Sequence, residues 1–232
     1  MVDYTLYYWP IPFRGQFVRS LLAHVHASWE EADDEALRAR WRADPKAQPV
    51  PFMGLPVLTD HAAELSLSQM PAVLTYLGRK HDLLPRDLEK EALTAKVIAD
   101  ASDVLYETTR YHGEQLWTAE AWEAFQPRLA RWMAIFGETG RRHGLTAQEG
   151  FFLGTPTLGL ADLTVAELWG TMTARFPSLR PVLERNAPAV AGLMDRVRAL
   201  PIQVELRRCT DEGYGEVWCG GEIEASLRAV VT

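Results

Sequence analysis

The sequence predicts an α/β domain followed by an all-helical one, and three observations carry that expectation. Short β-branched and aromatic runs are confined to the first third of the chain; beyond Pro85 the apolar residues recur at helical spacing; and the change falls in one stretch, near 82–90. The 232 residues exceed what one average domain needs and suffice for two modest ones.

The elements follow in order. YTLYYW at 4–9 is β-branched and aromatic, and Pro10 and Pro12 end it in a rigid loop. From Arg14 onward Phe17, Val18, Leu21, Leu22 and Val25 share one helical face, so a strand–loop–helix unit opens the chain. SWEEAD at 28–33 is a second short strand, with 35–48 an irregular helix or loop. In PVPFMGLPVLTD, Pro56 must start a strand rather than sit inside one, because proline cannot donate to a central ladder. A turn through Asp60–Glu64 leads to a hairpin partner at Leu65–Leu67. Pro71 then suits the first position of a helix that carries Val73, Leu74, Tyr76 and Leu77 and finishes near Gly78.

After Pro85 the pattern is helical. Val97, Ala101, Val104, Leu105 and Thr108 trace one face of a long helix with no Gly or Pro before Gly113. Leu129, Trp132, Met133 and Phe136 repeat that spacing, as do Val165, Leu168, Trp169 and Met172, and then Val190, Leu193, Met194 and Val197. The expected division is 1–82, 90–209 and a C-terminal tail at 210–232, where four glycines interrupt any clean period.

Composition narrows the function. At 47% hydrophobic and 24% charged residues the chain is an ordinary globular one. A formal charge of −7 argues against nucleic acid as a partner, since phosphate-backbone affinity needs clustered Lys and Arg. No apolar run approaches the roughly 20 residues that span a bilayer, and the start MVDYTLYYWP lacks the regions of a signal peptide, so no membrane partner and a cytoplasmic address are expected. Cys209 and Cys219 form no CxxC pair and are expected to stay reduced, and the six histidines lack ligand spacing, so no metal is expected.

Four segments, in order, resemble the cytosolic glutathione S-transferase family. YTLYYWP followed by FRGQFVR looks like the first strand, active-site loop and first helix of its tyrosine-type classes. GLPVL looks like the segment with the cis-proline that faces glutathione, and LSQMPAVLTYLG like the one ending in Gln-Ser before the third helix, with Met70 in place of the serine. FFLGTPTLGLADLTVAEL resembles the buried helix start held by an N-cap residue and by Asp162 three positions on, with Gly159 at the cap. The resemblance covers the chain apart from the tail. It implies a thioredoxin-like N-terminal domain, an all-α C-terminal bundle, glutathione as co-substrate, a hydrophobic electrophilic small molecule as second substrate, and a homodimer.

The resemblance also implies roles. Glutathione's thiol is mostly protonated at pH 7, and a hydrogen bond to the thiolate lowers its pKa and makes the nucleophile. Matching the motif places Tyr8 on the catalytic tyrosine; the loop WPIPFRGQFVR holds neither Ser nor Cys, so a main-chain amide near Phe13 and Arg14 is what remains otherwise. Tyr7 would point the other way, as the core tyrosine of the pair. Leu55 would pair its main chain with the ligand beside a cis Pro56. Gln69 and the backbone of Met70 would grip the γ-glutamyl end at a helix N-terminus. Arg14, Trp41 and Lys46 are candidates for the glycine carboxylate. Tyr106, Arg110 and Tyr111 are candidates for the co-substrate wall, on spacing that fits one face of the long helix. A binding or scaffold protein of the same fold, or a glutathione-dependent peroxidase or isomerase, are the alternatives.

Overall fold

The computed structural model describes residues 2–231. Its first part alternates strands and helices: β1 (Tyr4–Tyr7), α1 (Phe13–His24), β2 (Trp29–Glu31), α2 (Asp34–Arg42), β3 (Val57–Asp60), β4 (Leu65–Ser68) and α3 (Met70–Lys80). The strands form one mixed sheet in the order β2-β1-β3-β4, with β1 parallel to β2 and antiparallel to β3. Leu6 lies opposite Leu58, which lies opposite Leu67. This is the thioredoxin-like arrangement.

Strand alternation sets what β1 presents. Tyr4, Leu6 and then Tyr8, just beyond the strand, are buried against the core that includes α1 and α3. Tyr7 faces the other way, but it is only half-buried, and the Arg40 guanidinium of α2 lies 3.8 Å from its ring centroid. Tyr8, rather than Tyr7, is therefore the more buried of the two, because the larger hydrophobic layer lies on its side of the sheet. The segment expected to be irregular contains the regular α2, whose N-cap Asp33 accepts a hydrogen bond from the Ala36 amide at 2.8 Å.

The second part is all helical: α4 (Leu88–Thr108), the single turn α5 (Arg110–Gly113), α6 (Ala119–Arg142), α7 (Leu160–Arg175), α8 (Leu179–Asn186), α9 (Pro188–Arg198), α10 (Pro201–Tyr214) and α11 (Gly221–Val230). Helix α7 is buried almost all round, from Leu160 to Thr173, as a central helix must be. Trp169 meets the Phe136 ring of α6 edge-on at 5.4 Å. Helix α1 packs on α3 and also on α7 and α10, and so joins the sheet to the bundle.

The expected boundary at 210 falls inside α10, and the described part of the expected tail, 210–231, is packed on the body. Thr210 is buried and accepts a hydrogen bond from Gln16 of α1 at 3.0 Å, and Trp218 is fully buried. Four glycines hid a helix start here because Gly215, Gly220 and Gly221 take positive φ to turn the chain between α10 and α11.

The start of α7 is fastened by Asp162, whose carboxylate accepts from the amides of Phe152 at 2.6 Å and Gly159 at 2.8 Å. A side chain at Gly159 would place its Cβ 3.1 Å from the Leu83 carbonyl oxygen, so close approach of the inter-domain connection explains the glycine. Asp162→Ala leaves both amides without an acceptor and is expected to cost about 2–4 kcal/mol in urea unfolding. Burial pushes the Asp162 carboxyl up to about 6 against the opposing pull of the two amides. A folded-state pKa above the unfolded one means that the stability it contributes is full below the unfolded value and lost as pH rises through the folded value. The protein should therefore lose about 3 kcal/mol relative to Asp162→Asn between about pH 4 and pH 7, and parallel curves in urea titrations across that window would refute the assignment.

Candidate functional site

A cleft of ≈ 400 Å³ opens where the two parts meet. Five segments build it: the loop from β1 to α1, the chain entering β3, the start of α3 and, from the helical part, the turn after α4 and the C-terminal segment. Of the residues singled out by sequence, Tyr8, Arg14, Leu55 and Gln69 all line it.

The β1–α1 loop is held in place by Arg19 of α1, which is almost fully buried. Its guanidinium donates to the carbonyls of Ile11 at 2.8 Å and Trp9 at 3.4 Å and pairs with Glu31 at 2.8 Å. Tyr8 lies against the backbone of Gly15, where an added Cβ would sit 2.3 Å from the tyrosine ring. Its hydroxyl accepts a hydrogen bond from the Arg14 amide at 3.0 Å. Burial raises the phenol to about 12, opposed by Arg14 and Arg19, so it stays protonated and keeps its own proton to donate. The Arg14 guanidinium donates to the side chain and carbonyl of Ser102 on α4, each at 3.3 Å, which fixes it at the junction of the two parts.

On the opposite wall the Leu55–Pro56 peptide bond is cis. The ladder of β3 begins at Val57, and among the described residues no protein group hydrogen-bonds to the Leu55 main chain, leaving one donor and one acceptor at the cleft. Gln69 has φ 74° and ψ 120°, a conformation few side-chain-bearing residues adopt, held by its amide donating to the Pro56 carbonyl at 3.2 Å. Its exposed side chain reaches the cleft. Met70 follows at the first position of α3; its side chain is buried in the core, so only its amide, which has no intrahelical acceptor, is available to a ligand.

The remaining expectations fall elsewhere. Trp41 backs the cleft without lining it: its indole donates to the Met53 carbonyl at 3.0 Å and its ring meets Trp9 edge-on at 5.8 Å, and both of those partners do line the cleft. Lys46 is exposed on the loop after α2, away from the lining. Tyr106, Arg110 and Tyr111 also lie outside it. The helical period that grouped them fails at Arg110, because Arg110, Tyr111, His112 and Gly113 all take positive φ, from 49° to 80°. That left-handed turn lays Arg110 on the Trp117 ring, sets Tyr111 against Tyr106 at 5.2 Å, and brings Thr109 and His112 to the cleft instead. The His112 ring packs tilted against Tyr106, 4.7 Å between centroids, and burial together with the Arg14 charge lowers its pKa, favouring the neutral ring.

The C-terminal segment supplies the last wall, through Cys219 and Ile223. The Phe13 amide donates to the Trp218 carbonyl at 3.2 Å, and their rings meet edge-on at 5.1 Å. One Glu224 oxygen accepts from three successive amides, those of Trp218, Cys219 and Gly220, at 2.7–2.8 Å, while the other oxygen takes Arg228. Burial and Glu224 raise the Cys219 thiol to about 12, which makes it inert at neutral pH. The only sequence signals for this wall are Trp218 and the Glu224–Arg228 spacing.

Taken together, the cleft offers an unpaired strand-like edge, a helix N-terminus for a carboxylate, and a protonated phenol. That set suits an extended peptide bearing a carboxylate and a group that profits from a hydrogen-bond donor.

A family model described as "Glutathione S-transferase, C-terminal domain" matches residues 93–230. Glutathione S-transferase P of Capra hircus is 31% identical over 104 residues, which are 45% of this chain and 48% of that protein. The chain thus spans about half the length of the curated relatives it matches. Among solved structures, NaGST-2 superposes with a TM-score of 0.70 at 20% identity, over 90% of this chain and 97% of that one. A Nu-class GST from Haemonchus contortus gives 0.68 at 22% identity over the same shares. Likeness at those identities establishes the fold.

The seat of Tyr8 is open to a direct check. Gly15→Ala forces the ring away from α1, and the overpacking is expected to cost about 1–3 kcal/mol in urea unfolding. It should also break the bond between the phenol and the Arg14 amide, so an unshifted Tyr8 in a crystal structure of the variant would show that the glycine is not what seats it.

Proposed function

Because the chain belongs to the glutathione S-transferase family, we propose that it binds glutathione in this cleft and activates its thiol as a thiolate for attack on an electrophilic small molecule. The observation that carries the reading is the convergence of the unpaired Leu55 edge, the strained Gln69 at the start of α3, and the Tyr8 hydroxyl on one cavity.

The tripeptide's cysteinyl unit pairs with the Leu55 main chain, and its γ-glutamyl carboxylate meets Gln69 and the free amide of Met70. Arg14, anchored on Ser102, lies beside the peptide as its counter-charge. The sulfur sits by Tyr8. Its phenol donates to the thiolate while its oxygen accepts from the Arg14 amide, so each bond polarises the other. The two sequence candidates for thiol activation, the tyrosine and an amide near Phe13 and Arg14, are therefore parts of one relay. The electrophile enters over an apolar wall of Ile11, Phe13 and Ile223, with neutral His112 and Thr109 as its polar edge. Lys46 and Trp41 remain as outer contacts for the glycine end, Trp41 acting through Trp9. A homodimer is the assembly proposed, and light scattering that finds monomer alone would remove it.

Tyr8→Phe is expected to raise the bound thiol's pKa by about 1–2 units and to lower turnover near neutrality by about 10–100-fold, with glutathione affinity changed by no more than about twofold. Thiolate absorbance against pH reads the first quantity, steady-state conjugation the second and calorimetry the third. Because the phenol ionises only at about 12, activity should climb with pH through the thiol's pKa and show no alkaline fall from Tyr8 below that range. Unchanged turnover in the variant refutes the role of Tyr8. Glutathione binding without conjugation points to a carrier, turnover of peroxides or of isomerisable substrates alone points to those reactions, and no binding at all leaves a scaffold.

A further inference from the structure

A second cavity, of ≈ 230 Å³, lies away from the cleft between α1, α7, α9 and α10. Three of its lining side chains carry buried polar atoms with no partner in the protein: Gln16 Oε1, Glu167 Oε2 and Arg198 Nη1. Gln16 is 1% and Glu167 3% exposed, so water reaches them only from within the cavity. Buried polar groups left unmatched by protein are matched by something else.

The charges in the wall are unevenly satisfied. Arg175 is taken by Asp211 at 2.6 Å and by Glu216 at 3.5 Å. Arg207 donates from one nitrogen to the Arg198 and Gln203 carbonyls and meets no carboxylate. The Arg198 guanidinium makes no hydrogen bond or ion pair among the described residues, and Glu167, though near enough to act on it electrostatically, forms none with it. The position of Arg198 is built in: a Cβ on Gly170 would lie 2.5 Å from its Cδ and 2.6 Å from Nη1, so its stem lies flat on the α7 backbone only because that residue is glycine. The half-buried Arg198 and Arg207 thus share a cavity in which Glu167 is the one lining carboxylate without an ion pair among the described residues.

We propose that this cavity binds a small oxyanion that carries a hydrogen, of the hydrogen phosphate or bicarbonate class. Its oxygens accept from Arg198 and Arg207, and its hydrogen is given to Gln16 Oε1 or Glu167 Oε2. Such a ligand supplies both kinds of partner that the wall lacks, which chloride cannot do because it has no hydrogen to give. Burial raises the Glu167 carboxyl toward its neutral form, which lessens the repulsion that it would otherwise exert on an anion. The site is independent of the proposed chemistry in the cleft.

Isothermal titration of the full chain with inorganic phosphate, at ionic strength held constant with chloride and with glutathione saturating, tests it. Saturable binding of one phosphate per chain is expected, weakened about tenfold or more in Arg198→Gln. Gly170→Ala keeps every charge but displaces Arg198 and is expected to weaken phosphate likewise, which preserves the test should Arg198→Gln not fold. No heat beyond that of chloride, displacement of phosphate by glutathione, undiminished affinity in the variants, or a phosphate-grown crystal with only water on Gln16, Glu167 and Arg198 would each overturn the proposal.

Discussion

Everything in this molecule hangs on α1 being buried on all its sides. Ten of its twelve residues are buried, because α3, α7 and α10 pack around it and its apolar face joins Leu6 and Leu58 of the sheet in one core. A helix so enclosed cannot shift to suit one neighbour without disturbing the others, and its first turn forms the floor of the cleft. Glycines set the approach distances along this seam: Gly15 admits the Tyr8 ring, and Gly78 of α3 admits Leu160 of α7, where a Cβ would lie 2.6 Å from the leucine side chain. The geometry of the cleft is thus an outcome of packing between the two parts as much as of the loop that carries the tyrosine.

Sequence reasoning reached the parts of this arrangement that are local. Leu55, Gln69 and Tyr8, which four short motifs in order singled out through their resemblance to a family pattern, line one cleft. It failed where long-range packing overrides local period. Nothing within α4 forecasts that Arg110, Tyr111 and His112 all take positive φ, and only Gly113 hints at it, so the expected wall residues changed places with Thr109 and His112. The C-terminal segment looked aperiodic because its order comes from Phe13, at the far end of the chain, and from one carboxylate gathering three amides.

Charge also distributes differently from what the overall balance suggests. The chain carries a formal charge of −7, yet arginines stand at its inner seams: Arg19, buried, at the loop, and Arg14 and Arg198, half-buried, beside the two cavities. Arg19 is fully committed to Glu31 and backbone carbonyls, which suits a structural strut, whereas Arg14 and Arg198 keep donors in reserve beside cavities. Planar guanidiniums tolerate this placement better than ammonium groups would, being less strongly hydrated.

The strap from Trp218 to Ile223 closes one side of the cleft but belongs to neither the sheet nor the central helices. Its hold on the body includes a backbone bond to Phe13, edge-on contacts of the Trp218 ring with Phe13 and Phe176, and the Glu224 clamp. Substitutions at Cys219 and Ile223 can therefore reshape that wall of the cleft while leaving Tyr8, Leu55 and Gln69, which stand on other elements, untouched.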